Sequence, residues 1–122
     1  MGEYNLSHKI AWFDVPVLDL KRAMSFYSKV LDCDIREEFE GVAVLQHAND
    51  EVAGCLTLDK RVQPTQHGVL IYYNVNGRLA EAVEQVTANG GKVLQAQHSI
   101  GPFGYRAIVL DSEGNRIALH SD

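Results

Sequence analysis

The chain has 122 residues, of which 46% are hydrophobic, and a formal net charge of -5. That length supports one domain with its own core, and the apolar share is too high for a disordered tail. An acidic balance with no basic stripe argues against nucleic acid or an anionic membrane as partner, and no apolar run approaches the roughly 20 residues of a membrane span.

Residues 1–8 form a polar lead-in, and MGEYNLSHK lacks the apolar core of a secretory signal. From Ile10 the pattern sharpens. Ala11, Phe13, Val15 and Val17 alternate as a strand with one face on a core, leaving Trp12 and Asp14 on the other face. Asp19 stands where an N-cap belongs. Leu20, Ala23, Met24, Tyr27, Val30 and Leu31 then follow the three-and-four spacing of an amphipathic helix. Three strands are expected next, over 32–38, 41–47 and 52–58. Gly54 inside the last of them implies a bulge or a close approach by another chain segment.

Residues 59–67 (DKRVQPTQH) are polar, contain Pro64 and form the one linker-like segment. A strong strand follows over 68–75, and Asn76-Gly77 lead into a helix with the stripe Leu79, Ala82, Val83 and Val86. Gly90 sits at a left-handed C-cap position. Strands over 91–97, 105–111 and 115–120 complete the chain, with Gly101-Pro102-Phe103-Gly104 and Ser112-Glu113-Gly114 as connections. Cys33 and Cys55 have no CxxC spacing and read as free thiols of a reducing, cytoplasmic compartment.

The order strand, helix, three strands occurs twice, so the chain is an internal repeat of roughly 50 residues per unit. The expected fold is α+β within a single domain. Two βαβββ modules, about 9–58 and 68–120, form a curved mixed sheet with the helices outside and a trough inside.

VPVLDLKRAMSFYSKVL in the first module and VLDSEGNRIALH at the end resemble the vicinal oxygen chelate superfamily, which includes glyoxalase I, bleomycin-resistance proteins and extradiol dioxygenases. The likeness extends from about Ile10 to His120. It implies a divalent metal in the trough, held from the first, fourth, fifth and eighth strands and acting as a Lewis acid. Those positions fall on Trp12, Cys55, Leu70 (Val69 if the register slips) and Ala118. Indole, isobutyl and methyl groups cannot bind such a cation, and a lone thiolate needs partners. No metal and no other cofactor are therefore expected, and no catalytic residue can be named.

Alternation gives the trough lining as Trp12 and Asp14; Ala53, Cys55 and Thr57; Leu70, Tyr72 and Asn74; Arg116, Ala118 and His120. An apolar floor with a few polar groups suits a small organic ligand. Trp12 is either a stacking platform or a plug in the space of a metal. Asp14 at mid-strand needs a partner, which Arg116 can supply. His120 is a base, a replacement ligand or a surface residue, and His47, His67 and His98 read as surface residues. A metal-independent small-molecule binder is expected, as a homodimer that covers open sheet edges. The alternatives are a lyase or isomerase related to lactoylglutathione lyase with a displaced or metal-free site, and an interaction module with a vestigial trough.

Overall fold

A computed structural model describes residues 8–122, so most of the polar lead-in lies outside the described residues. The first half contains β1 (Trp12–Pro16), α1 (Leu20–Leu31), β2 (Ile35–Phe39), β3 (Val42–Leu45) and β4 (Ala53–Thr57). The second contains β5 (Tyr72–Asn74), α2 (Leu79–Ala88), β6 (Lys92–Ser99), a 3₁₀ turn at Gly101–Phe103, β7 (Tyr105–Leu110) and β8 (Arg116–Ser121). The α+β fold of two βαβββ units is thus present.

The strands form two four-stranded sheets of equivalent order, β1-β4-β3-β2 and β5-β8-β7-β6. In each, the strand before the helix pairs in parallel with the last strand of its unit, and the other pairings are antiparallel. No ladder joins the two sheets among the described residues.

α1 begins as its sequence dictates. The Asp19 carboxylate accepts from the Arg22 amide at 3.0 Å, satisfying one of the free N–H groups of the first turn. Its stripe of Leu20, Ala23, Phe26, Tyr27 and Val30 is buried. The helix stops at Asp32, which takes a left-handed conformation (φ 52°) and donates its N–H to Ser28 O. α2 buries Leu79, Ala82 and Val86 and is followed by Gly90 at φ 91°, the conformation expected there. Asn76 does not cap α2. Its side-chain oxygen accepts from the Asp122 amide at 2.7 Å and from Ser121 Oγ at 3.1 Å.

One core serves both units. It joins the helix stripes to Val15, Val17 and Leu56 of the first half and to Tyr73, Val75, Val109, Ile117 and Leu119 of the second. α1 packs on α2, and Arg78 Nη1 donates to Val30 O at 2.7 Å. Each fully buried side chain of Val, Leu or Phe size contributes on the order of 1.5–3 kcal/mol. Because the helix-side faces of both sheets are used by this core, the opposite faces are left open, with the helices on the far side of each.

The Asp111–Asn115 turn (DSEGN) ties the halves together. Asp111 accepts from the amides of Glu113 and Asn115, from Asn115 Nδ2 and from the buried Tyr27 phenol at 2.6 Å. Asn115 Nδ2 also donates to Pro16 O at 2.8 Å. The Glu113 carboxylate, fully enclosed, accepts from the amides of Leu18 and Asp19, from Ser112 Oγ and from both Nε and Nη2 of Arg22. Burial raises its pKa, but the hydrogen bonds from Arg22, Ser112 and the two amides outweigh burial and hold it down at about 2.

Candidate functional site

Strand register puts the candidate residues on the open faces. On the first sheet Trp12 pairs with Ala53, Asp14 with Cys55 and Pro16 with Thr57. On the second, Tyr72 pairs with Ala118 and Asn74 with His120. The Val17 amide donates to Thr57 O and the Val75 amide to His120 O, so Trp12 and Leu70 occupy equivalent positions, as do Asp14 and Tyr72, Pro16 and Asn74, Cys55 and Ala118, and Thr57 and His120. The repeat thus relates Trp12 to Leu70 and Cys55 to Ala118, the four metal positions assigned from sequence.

Leu70 lies outside β5, which begins four residues later than the apolar run implied. Arg116 N donates to Thr65 O and Ala118 N to Ile71 O. Two donors that are neighbours on one side of β8 thus engage acceptors six residues apart, and residues 66–70 are extruded as a loop. Val69 is 89% exposed there.

The candidate residues do not converge on one cavity within the chain. Asp14 and Arg116 share a cleft of about 180 Å³ with Pro16, Thr65, Val69 and Ile71. They form no ion pair. Asp14 instead accepts from Cys55 Sγ at 3.2 Å. Burial first, and the Asp14 bond second, push the Cys55 thiol up to about 11, which makes it a poor nucleophile at neutral pH. Tyr72, Asn74 and His120 share a separate cavity of about 230 Å³ with Asn76 and Asp122. Trp12 is half-buried and meets the edge of the His47 ring, centroids 6.0 Å apart. Thr57 is half-buried at the end of β4, and Ala118 is fully buried.

Two residues left as surface positions or unassigned in the sequence belong to the second face. Asn74, His120, Arg106 and His98 are successive register partners across β5, β8, β7 and β6, so they form one row. Arg106 Nε donates to His98 Nε2 at 3.0 Å, and Arg106 Nη1 donates to the Tyr72 phenol oxygen. The guanidinium carbon lies 5.9 Å from the Tyr72 ring centre. His120 Nε2 lies 2.6 Å from Phe103 O, so that nitrogen carries the proton and Nδ1 keeps its lone pair. The equivalent row on the first sheet is Pro16, Thr57, Val42 and Phe39.

The Glyoxalase/Bleomycin resistance protein/Dioxygenase superfamily model matches residues 9–119. The chain belongs to this superfamily. Solved structures with the same fold include a glyoxalase-related enzyme from Fulvimarina pelagi, 16% identical with a TM-score of 0.76 over 93% of this chain and 88% of that one. A glyoxalase/bleomycin resistance protein from Albidiferax ferrireducens is 19% identical, with a TM-score of 0.76 over 94% and 100%. The fosfomycin resistance protein FosX of Listeria monocytogenes is 14% identical, with a TM-score of 0.70 over 94% and 93%. A comparison with curated proteins finds no match.

The superfamily implies a divalent metal on the open faces, and the donors at the repeat-related positions do not fit one. Trp12, Leu70 and Ala118 offer no ligating atom, and the Cys55 thiol, pushed up to about 11 by burial and its bond to Asp14, stands alone. Among the described residues no three His, Cys, Asp or Glu side chains form a group able to hold a metal ion. No helix among them is long and apolar enough to cross a membrane.

Proposed function

We propose that the chain is a small-molecule-binding protein of the glyoxalase/bleomycin-resistance type that works without the usual metal ligands. The observation that carries this is the content of the four repeat-related positions, where the indole of Trp12, the isobutyl group of Leu70, the methyl group of Ala118 and the protonated thiol of Cys55 replace a donor set. Trp12 and Tyr72 offer planar surface, and Asp14, Asn74 and His120 offer orienting polar groups, the mixture expected of a ligand site. Free Cys33 and Cys55 fit a cytoplasmic location.

A homodimer belongs to the same proposal. The open faces of one chain point away from its shared core, and β1 and β5 each end their sheet. Two copies related by a twofold axis would bring a first-sheet face opposite a second-sheet face and enclose a trough. Sedimentation should then give twice the 13.5 kDa chain mass.

The deciding experiment combines metal analysis of protein purified without chelator with a thermal-shift screen of small aromatic compounds. Substoichiometric metal and a stabilising compound support the proposal. A ligand at a hundred times its Kd should add about 2.7 kcal/mol. One tightly held metal per protomer, lost in Trp12→Ala or His120→Ala, would favour an enzyme with displaced ligands. No stabilising compound across a broad library would favour an interaction module.

A further inference from the structure

We propose that Arg106, with Tyr72 and His98, forms an anion-recognition site on the open face of the second sheet, which takes the carboxylate or phosphoryl group of a small organic ligand. The site rests on the proposal that this face binds a ligand, and it names the chemistry of that ligand.

Arg106 differs from most arginines of the chain. Arg22, Arg36, Arg61 and Arg78 each hold a carboxylate within 4.0 Å. Arg106 holds none among the described residues, although it is half-buried in the middle of a sheet. A cation taken partly out of water needs a partner of opposite charge, or it remains an unbalanced cost. The groups that do touch it are neutral. His98 Nδ1 lies 2.8 Å from Ala96 O, a carbonyl that only accepts, so Nδ1 carries the proton. Nε2 is then the lone-pair nitrogen that receives Arg106 Nε–H. The Tyr72 phenol accepts from Nη1 and keeps its own proton to donate. His98 and Tyr72 thus fix the guanidinium from two sides without neutralising it.

What remains free defines the ligand. Of the five guanidinium N–H groups, Nε–H and one on Nη1 are used, which leaves a fork with three. A planar fork of this kind matches the two oxygens of a carboxylate or a phosphoryl group, and the Tyr72 hydroxyl adds a fourth donor beside it. The cavity of about 230 Å³ beginning at Tyr72 and His120 gives room for the rest of the molecule. Asp122 also lines that cavity but forms no ion pair with Arg106. The first sheet carries no such site: Val42 stands at the position of Arg106, and its row begins with Pro16.

The test is isothermal titration of the wild-type protein with benzoate and phenylphosphonate, each against the neutral benzamide, in low and high salt. The expected result is binding of the anions and on the order of 10- to 100-fold weaker binding of benzamide. Arg106→Gln should remove the preference for anions, Arg106→Lys should restore part of it, and Arg61→Gln on the linker should leave it unchanged. Benzoate or phenylphosphonate binding alone tells which oxyanion the fork accepts, and either supports the site. Equal binding of benzamide, or an anion preference that survives in a folded Arg106→Gln variant, overturns the anion site and leaves the ligand face standing. Absence of binding in both series overturns the two together.

Discussion

Across the first sheet, Pro16, Thr57, Val42 and Phe39 stand in register; at the equivalent positions of the second, Asn74, His120, Arg106 and His98 do. The backbone repeats and the chemistry does not. The helix-side faces of both sheets are constrained by one shared core, so Val15 and Val17 of the first half are matched by Tyr73 and Val75 of the second. The open faces carry no such constraint. One row has become largely apolar, the other a row of imidazole, guanidinium and amide groups. A duplicated fold thus offers two surfaces that can diverge independently while the core remains symmetric.

The comparison holds only while the halves stay joined, so the largest effect is expected at the joint. Glu113→Ala removes the acceptor of two amides and of Arg22 from an enclosed position. A loss of about 3 kcal/mol in urea unfolding is expected, with Arg22→Ala milder because that side chain is 49% exposed. A smaller but still large effect is expected where the two sheets differ in their inner faces. Gly54 corresponds to Ile117, and the Phe13 backbone and ring fill its side-chain space. A Cβ there would lie 2.5 Å from Phe13 O, so Gly54→Ala should cost about 2 kcal/mol, measured by the same unfolding curve.

Acid should weaken the joint without mutation. Glu113 is held at about 2 in the folded protein, against 4.5 ordinarily, so the unfolded chain binds its proton first. Its contribution is complete above pH 4.5 and disappears as pH falls from 4.5 through 2. With the half-exposed Arg22 screened by solvent, it is worth roughly 2 kcal/mol. Comparison of wild type with Glu113→Gln across that range isolates it: the acid-dependent loss should be smaller in the variant. The smallest effect sharpens the difference between the faces. Asp14→Asn removes the carboxylate that stands where the second sheet has the Tyr72 phenol. Stability should change by less than about 0.5 kcal/mol. The Cys55 thiol, released from its carboxylate neighbour, should react faster with iodoacetamide at pH 8.

Most of the fold was legible because its signals are local. The α1 stripe, the Asp19 cap and the alternation of Trp12 and Asp14 against Phe13 and Val15 each follow from spacing within a few residues. The site was legible only where alternation runs unbroken. β6 carries register shifts between Val93 and Gln95 and between Gln95 and His98, and each irregularity breaks the period of two. The face of His98 is therefore not readable from its position in the strand. Arg106 was within reach, since counting back across the Asp111–Asn115 turn sets it opposite His120. The start of β5 was hidden because the apolar run GVLIYYNV contains a loop that only long-range hydrogen bonds to β8 reveal. Asp14 found a thiol rather than Arg116, a choice made by strand pairing and not by charge.

The Glu113 carboxylate has a consequence for how the molecule moves. The amides of Leu18 and Asp19, at the entrance to α1, donate to an acceptor that belongs to the turn between β7 and β8. A residue near the start of the chain and one near its end therefore share a single opening event. In native-state hydrogen exchange these two amides should not follow the fraying of α1. They should exchange with the Glu113 and Asn115 amides of the distant turn, at one common rate, and in Glu113→Ala they should part company.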